Sequence, residues 1–168
     1  MTPLETELLT VARSYLGERE TDGPNDSPQI REFLKYVGIG KPSAYCAAFA
    51  SFCIHEASGR VPCTPKFKRS AGALNLKKVN PDLVITAEEA LERLREGRPC
   101  VFGFPVGDKG LGHVGIAYGL SDDETRIHTI EGNTGPGPAV AAKDRDGDGV
   151  HERSDRKFVS AKFWLMVE

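Results

Sequence analysis

The order of patterns along the chain predicts an α+β fold, with N-terminal helices packed on a C-terminal antiparallel sheet. Three observations predict it. From Thr2 to Gly97, apolar residues recur at helical spacing in segments opened by capping residues and closed by glycine. From Pro99 onward the spacing falls to alternation, and short apolar runs are divided by Gly, Asp and Pro. The 168 residues hold no internal repeat and no low-complexity linker, which predicts one domain over 1–168, long enough to bury a core without staples.

Thr2-Pro3-Leu4-Glu5 has the form of a capping box with proline at the first helical position. Leu4, Leu8, Val11, Ala12, Tyr15 and Leu16 then share a face until Gly17. The polar "ERETDGPND" reads as a loop. Ser27-Pro28 opens a second helix, with Ile30, Phe33, Leu34 and Val37 inward and Gly38 as its end. Ser43 is expected to cap a third, "SAYCAAFASFCIHEA". A short helix is expected within "TPKFKRSAGALNL". Thr86-Ala87-Glu88-Glu89 is a second capping box, with Leu91 and Leu94 inward and Gly97 closing the segment. The expected strands are "PCVFGFPV", "GHVGIAYG", "RIHTIEG", "AVAAKD", "GVHER" and "KFWLMV".

Composition excludes several classes of function. Hydrophobic residues make up 39% and charged residues 27%, the balance of an ordinary globular chain. The net charge of −2 provides no global basic field, so no nucleic-acid partner is expected. No apolar run approaches the ~20 residues of a membrane span, so no membrane partner is expected. The N-terminus carries acids among its apolar residues and does not read as a secretory signal. The chain is therefore expected to be made in the cytoplasm, to be a monomer, and to reach any target outside through another system. Cys46, Cys53, Cys63 and Cys100 form neither a CxxC pair nor a finger-like spacing, which predicts reduced thiols and no structural zinc.

Two of these cysteines share the third helix. Cys46 falls in its first turn, where unpartnered N–H groups and the helix dipole favour an anion. Cys53 lies two turns further in, among Phe49, Phe52 and Ile54, and reads as core. A nucleophilic cysteine needs a base. Of the four histidines, His55 sits mid-helix, His128 within a strand and His151 in a Gly/Asp-rich hairpin. His113 follows Gly110-Leu111-Gly112 and opens a strand of small and apolar residues. A hairpin centred on Asp122 pairs Tyr118 with Arg126, Ile116 with His128 and Val114 with Ile130, and sets His113 opposite Glu131. A carboxylate opposite the imidazole can fix its tautomer and leave the other nitrogen for the nucleophile. Asn133 keeps to the same face.

These residues resemble the CHAP family, the cysteine- and histidine-dependent amidohydrolases and peptidases, and most of all its phage-lysin-like branch. "YCAAFASFCIHEA" resembles the nucleophile helix, "GHVGIAYG" the histidine strand and "IEGNTG" the strand with the acidic and amide members. "YLGERETDGPND" resembles the loop before the nucleophile helix. The resemblance covers roughly residues 13–135 and implies a papain-like, NlpC-related cysteine hydrolase. It implies Cys46 as nucleophile, His113 as base and then acid, Glu131 as orienting carboxylate and Asn133 as supporting polar residue. It further implies a substrate groove at Glu20, Asn25, Tyr45 and Gly112, with Tyr45 where many members have Trp. The implied chemistry is amide hydrolysis in peptidoglycan, as an N-acetylmuramoyl-L-alanine amidase or a peptide endopeptidase, with no cofactor. Acyl transfer by the same triad and a non-catalytic wall-binding or virion module are the rival readings. Phage lysin, virion component and exported effector all suit the chain. The last would predict an inhibitor or immunity protein as partner.

"DRDGDGVHERSD" places Asp144, Asp146, Asp148, Glu152 and Asp155 at calcium-loop positions. The same residues read more readily as an Asp-Gly turn between strands, since position twelve is Asp rather than Glu and no helix follows. Calcium is thus a candidate ligand here, and both readings stand on the sequence.

Overall fold

The computed structural model describes residues 1–108, 110–135 and 148–168. Five helices precede or flank a six-stranded antiparallel sheet among these residues, an α+β arrangement. Helix α1 (Pro3–Ser14) begins at the expected capping box: the Thr2 side chain accepts from the Glu5 N–H, and Glu5 accepts from the Thr2 N–H. Helix α2 (Pro28–Tyr36) is capped by Ser27 and buries Ile30, Phe33 and Leu34. Helix α3 (Cys46–Ser58) buries Ala47, Ala48, Phe49, Ala50, Cys53, Ile54 and Ala57. A helix apolar on so many sides belongs in the middle of a fold. Short α4 (Ala73–Val79) and Thr86-capped α5 (Ala87–Arg95) follow.

The sheet runs β1-β6-β2-β3-β4-β5, from β1 (Val84–Ile85), β2 (Cys100–Val106), β3 (Leu111–Leu120), β4 (Arg126–Thr134), β5 (Gly149–Lys157) and β6 (Phe163–Met166). Its two faces take different partners. Val101, Val114, Ile116, Ile130 and Leu165 join α1 and α3 in the larger core. Cys100, Phe102, Ala117, Ile127 and Trp164 join Ala90 and Leu94 of α5 on the other side. No helix among the described residues is long and apolar enough to cross a membrane.

One expectation changes, one falls outside the described residues, and one strand was not expected. Strand β1 is a two-residue edge partner of β6 and too short for an alternating pattern to announce it. The expected strand "AVAAKD" lies outside the described residues. Ser43 does not cap α3: the chain enters that helix at Tyr45, whose carbonyl accepts from the Phe49 N–H, and no side chain caps the first turn.

Candidate active site

Cys46 is the first residue of α3, 5% exposed. Starting at Tyr45 rather than Ser43 moves the cysteine closer to the helix origin than the sequence suggests. The N–H groups of the first turn receive no side-chain acceptor, so they remain available to an anion at this end. Cys53, also on α3, is fully buried, and burial pushes its thiol well above the ordinary range. The four cysteines are free thiols, as expected, and Cys63 is the exposed one.

His113 sits in β3 and meets Glu131 of β4: Nε2 lies 2.7 Å from Glu131 Oε2. An ionised carboxylate only accepts, so Nε2 carries the proton and Nδ1 is left for the Cys46 thiol, which lies against the ring. Burial works to lower the His113 pKa. Its hydrogen bonds to Cys46 and Glu131 outweigh that and push it up to about 9. Glu131 is fully buried, which by itself would raise its carboxyl; hydrogen bonds from His113 and Arg156 hold it down at about 2.

The expected contact is present, but the hairpin reaches it through another register. Ile116 pairs with Ile130, not His128, and continuing that pairing sets Gly115, not His113, across from Glu131. Two local features move the register. Asp123 accepts from Ser121, the Thr125 N–H and the Thr125 hydroxyl, which places the turn later than Asp122. A bulge between Ala117 and Gly119 then shifts the pairing again. The shift keeps side-chain parity, so His113 and Glu131 still share a face, now diagonally. Gly115 makes the diagonal reach feasible: a Cβ there would stand 2.6 Å from Glu131 Cγ.

Sequence reasoning missed the residues that hold Glu131. Arg156 of β5 binds both its oxygens, from Nε at 3.0 and 3.2 Å and from Nη2 at 2.6 Å. The Thr129 hydroxyl donates to Oε1 at 2.6 Å. Phe104 packs its ring 5.6 Å from that of His113, and the Arg156 guanidinium lies 5.3 Å over Phe104. The strand holding Arg156 gave no local signal that it would meet Glu131, because β5 bulges where it passes β4.

The other expected site residues divide. Asn133 adopts a left-handed backbone, φ 58°, at the end of β4. No hydrogen bond joins its side chain to His113 among the described residues, so the polar support of the pair comes from Arg156 and Thr129 instead. Tyr45 is fully buried beside Cys46. Its hydroxyl faces Glu20 and the Asn133 N–H. Glu20 borders β5, since Arg19 bridges to Gly149. Asn25 lies in the turn closed by Gly23 and Asp26, with a left-handed backbone, φ 57°. Gly112 packs closely against α4: a Cβ there would meet Leu74 at 2.6 Å.

Asp144 and Asp146 of the acidic run lie outside the described residues. Glu152 and Asp155 belong to strand β5 rather than to a loop. Glu152 accepts from the Tyr118 hydroxyl at 2.6 Å, while Asp155 pairs with Arg153 at 2.7 Å, so the two carboxylates turn to different partners. Asp148 precedes the strand, exposed. Among the described residues no three His, Cys, Asp or Glu side chains group as metal ligands. His151 also sits in β5, half-buried, rather than in a turn.

A buried cysteine at a helix start, an imidazole beside it and a carboxylate pinned by an arginine form an arrangement suited to nucleophilic acyl chemistry. The chain matches no family model, no curated protein and no solved structure.

Proposed function

We propose that this chain is a papain-like cysteine hydrolase that cleaves an amide bond of peptidoglycan, as an N-acetylmuramoyl-L-alanine amidase or a peptide endopeptidase. The observation that supports it above all is the line Cys46, His113, Glu131, in which the acid fixes Nε2 and leaves Nδ1 for the thiol. The resemblance of the same three residues to the CHAP pattern supplies the substrate class.

In this reading the Cys46 proton already rests on His113 Nδ1 when substrate arrives, and Cys46 Sγ attacks the carbonyl carbon. The N–H groups at the start of α3 receive the charge that develops on the carbonyl oxygen. The C–N bond then breaks, and His113 returns the proton to the departing amine. Water, deprotonated by the now neutral His113, attacks the thioester carbonyl. The acid is released and the thiol regenerated. Glu131, fixed by Arg156, keeps the imidazole in one orientation and stabilises its charged form throughout.

Purified sacculi incubated with wild type and with Cys46→Ala provide the test. The wild type is expected to release muropeptides and Cys46→Ala to release none. Mass spectrometry of the fragments names the bond. Equal release by both, or release by neither, overturns the reading. An added primary amine that appears in the products would reassign the chain to acyl transfer by the same residues.

A further inference from the structure

A cleft of about 480 Å³ opens at the end of β2. Ligand pockets run from roughly 300 to 1,000 Å³. One wall is apolar, from Phe102, Phe104 and Pro105, and another is basic, from Arg156, Lys157 and Lys162. The cleft shares two residues with the surroundings of the His113–Glu131 pair. Phe104 packs against His113, and Arg156 holds Glu131.

The sheet leaves an open edge here. Strand β6 pairs with β2 only from Cys100 to Gly103, so the last residues of β2 pair on the β3 side alone. The Gly103 carbonyl accepts from the Lys162 N–H on the edge that β6 is leaving. Alternation along an antiparallel strand turns the Pro105 carbonyl to that same edge. Proline has no N–H, so this position offers an acceptor and no donor.

The charges select what enters. Arg156 meets Glu131 through Nε and Nη2, and its Nη1 donates to no partner among the described residues. Lys157 and Lys162 pair with no carboxylate among the described residues. Asp155 also lines the cleft, but Arg153 holds it through Nε at 2.9 Å and Nη2 at 2.7 Å. Two unmatched cations therefore stand over an apolar wall, on a chain whose net charge is −2. Such a cleft attracts an anion with an apolar body. A phosphate would use the lysines and leave Phe104 and the Pro105 carbonyl unused. A peptide ending in a free carboxylate uses every part: an N–H for Pro105, a side chain for Phe104, and the carboxylate for the lysines and Arg156 Nη1.

We propose that this cleft binds the carboxylate end of a peptide, with Lys157 and Lys162 as charge anchors and the open edge of β2 as the backbone guide. The proposal goes beyond the hydrolase reading and does not rest on it.

Calorimetric titration of the Cys46→Ala protein tests it without turnover. The probes are N-acetylalanylalanine, in its all-L and all-D forms, and the C-terminal amide of each. At least one acid is expected to bind, and its amide at least tenfold more weakly. Trp164, the sole tryptophan, stacks on Phe158 and lies 6.1 Å from Phe102, so its emission should change as the acid binds. Adding Lys157→Ala and Lys162→Ala should weaken the acid at least tenfold with Tm unchanged, since both residues are exposed. Adding Lys77→Ala and Lys78→Ala instead removes the same charge from α4, outside the cleft lining, and should leave affinity as it was. Binding by neither acid, equal binding of acid and amide, or an equal loss from both lysine pairs overturns the site. Inorganic phosphate bound as tightly as the acid, with the same dependence on Lys157 and Lys162, overturns the peptide ligand. If sacculi stay intact while the acid binds in this way, the hydrolase reading falls and the site stands.

Discussion

Arg156 decides the state of the Glu131 carboxylate. Glu131 has no exposure to water, and its two oxygens divide between His113, Thr129 and the Arg156 fork. Removing one partner of a buried ion pair strands the other, at a cost of about 3–5 kcal/mol. Arg156→Met should therefore lower stability by about that amount in denaturant titration and abolish activity, with Arg156→Lys intermediate because a point charge cannot match a two-oxygen fork. A loss below about 1 kcal/mol for Arg156→Met would show that Glu131 does not depend on it. His113 carries a separate prediction. With its pKa raised to about 9 by Cys46 and Glu131, it is protonated at neutral pH and loses its proton as pH climbs through that value. The kcat/KM profile should stay high through neutrality and fall with an alkaline limb near 9. A limb near the ordinary histidine value would mean the ring does not feel its two neighbours.

At the scale of elements, the β3–β4 hairpin governs the site through a glycine. Glu131 crosses to His113 over Gly115, where a methyl would press on Glu131 Cγ at 2.6 Å and Phe102 Cε1 at 2.8 Å. Gly115→Ala should displace the carboxylate, cost about 1–3 kcal/mol of stability by overpacking, and reduce kcat more than it raises KM. Unchanged kcat would show that Glu131 can reach His113 by another path. The same hairpin shows how far the sequence could be read. Cys46 and His113 were legible because their signals are local: a helix start, and a strand opened after glycines. Glu131 was legible only through parity, since the Asp123 turn and the bulge after Ala117 altered the register but not the face. Arg156 was not legible, because its meeting with Glu131 depends on an extra residue in β5 that no alternation pattern records. The entry to α3 was misplaced by two residues because burial of Tyr45, a tertiary effect, outweighs the capping preference of Ser43.

At the scale of the whole molecule, two charge clusters hold distant parts together. Glu5 caps α1 and, fully buried, also pairs with Arg93 at 2.6 Å and Arg98 at 3.1 Å, which joins the first helix to α5 and the turn after it. Glu5→Ala should cost about 3–5 kcal/mol, read as a lower urea midpoint; a surface-like loss would show the cluster to be dispensable. The second cluster sets a pH window. Glu131, depressed from 4.5 to about 2, contributes its full stabilisation above 4.5 and loses it as pH falls toward 2. His113, raised from 6.5 to about 9, contributes in full below 6.5 and loses it as pH rises toward 9. Stability should therefore be flat between about 4.5 and 6.5 and decline on both sides. Glu131→Gln should weaken both slopes, and an unchanged pH profile in that variant would assign them to other groups.

The sheet order places β6 between β1 and β2, although β6 is the last of the six strands to be synthesised. While the chain is still emerging from a ribosome, β2 can already pair with β3, and the His113 hairpin can close. The outer edge of β2, from Cys100 to Gly103, has to wait for Phe163 to Met166. Until then it is an open template for any other strand nearby. A nascent or truncated chain that stops before Phe163 is thus sticky along one edge, so clean production depends on Phe163 to Met166 being present.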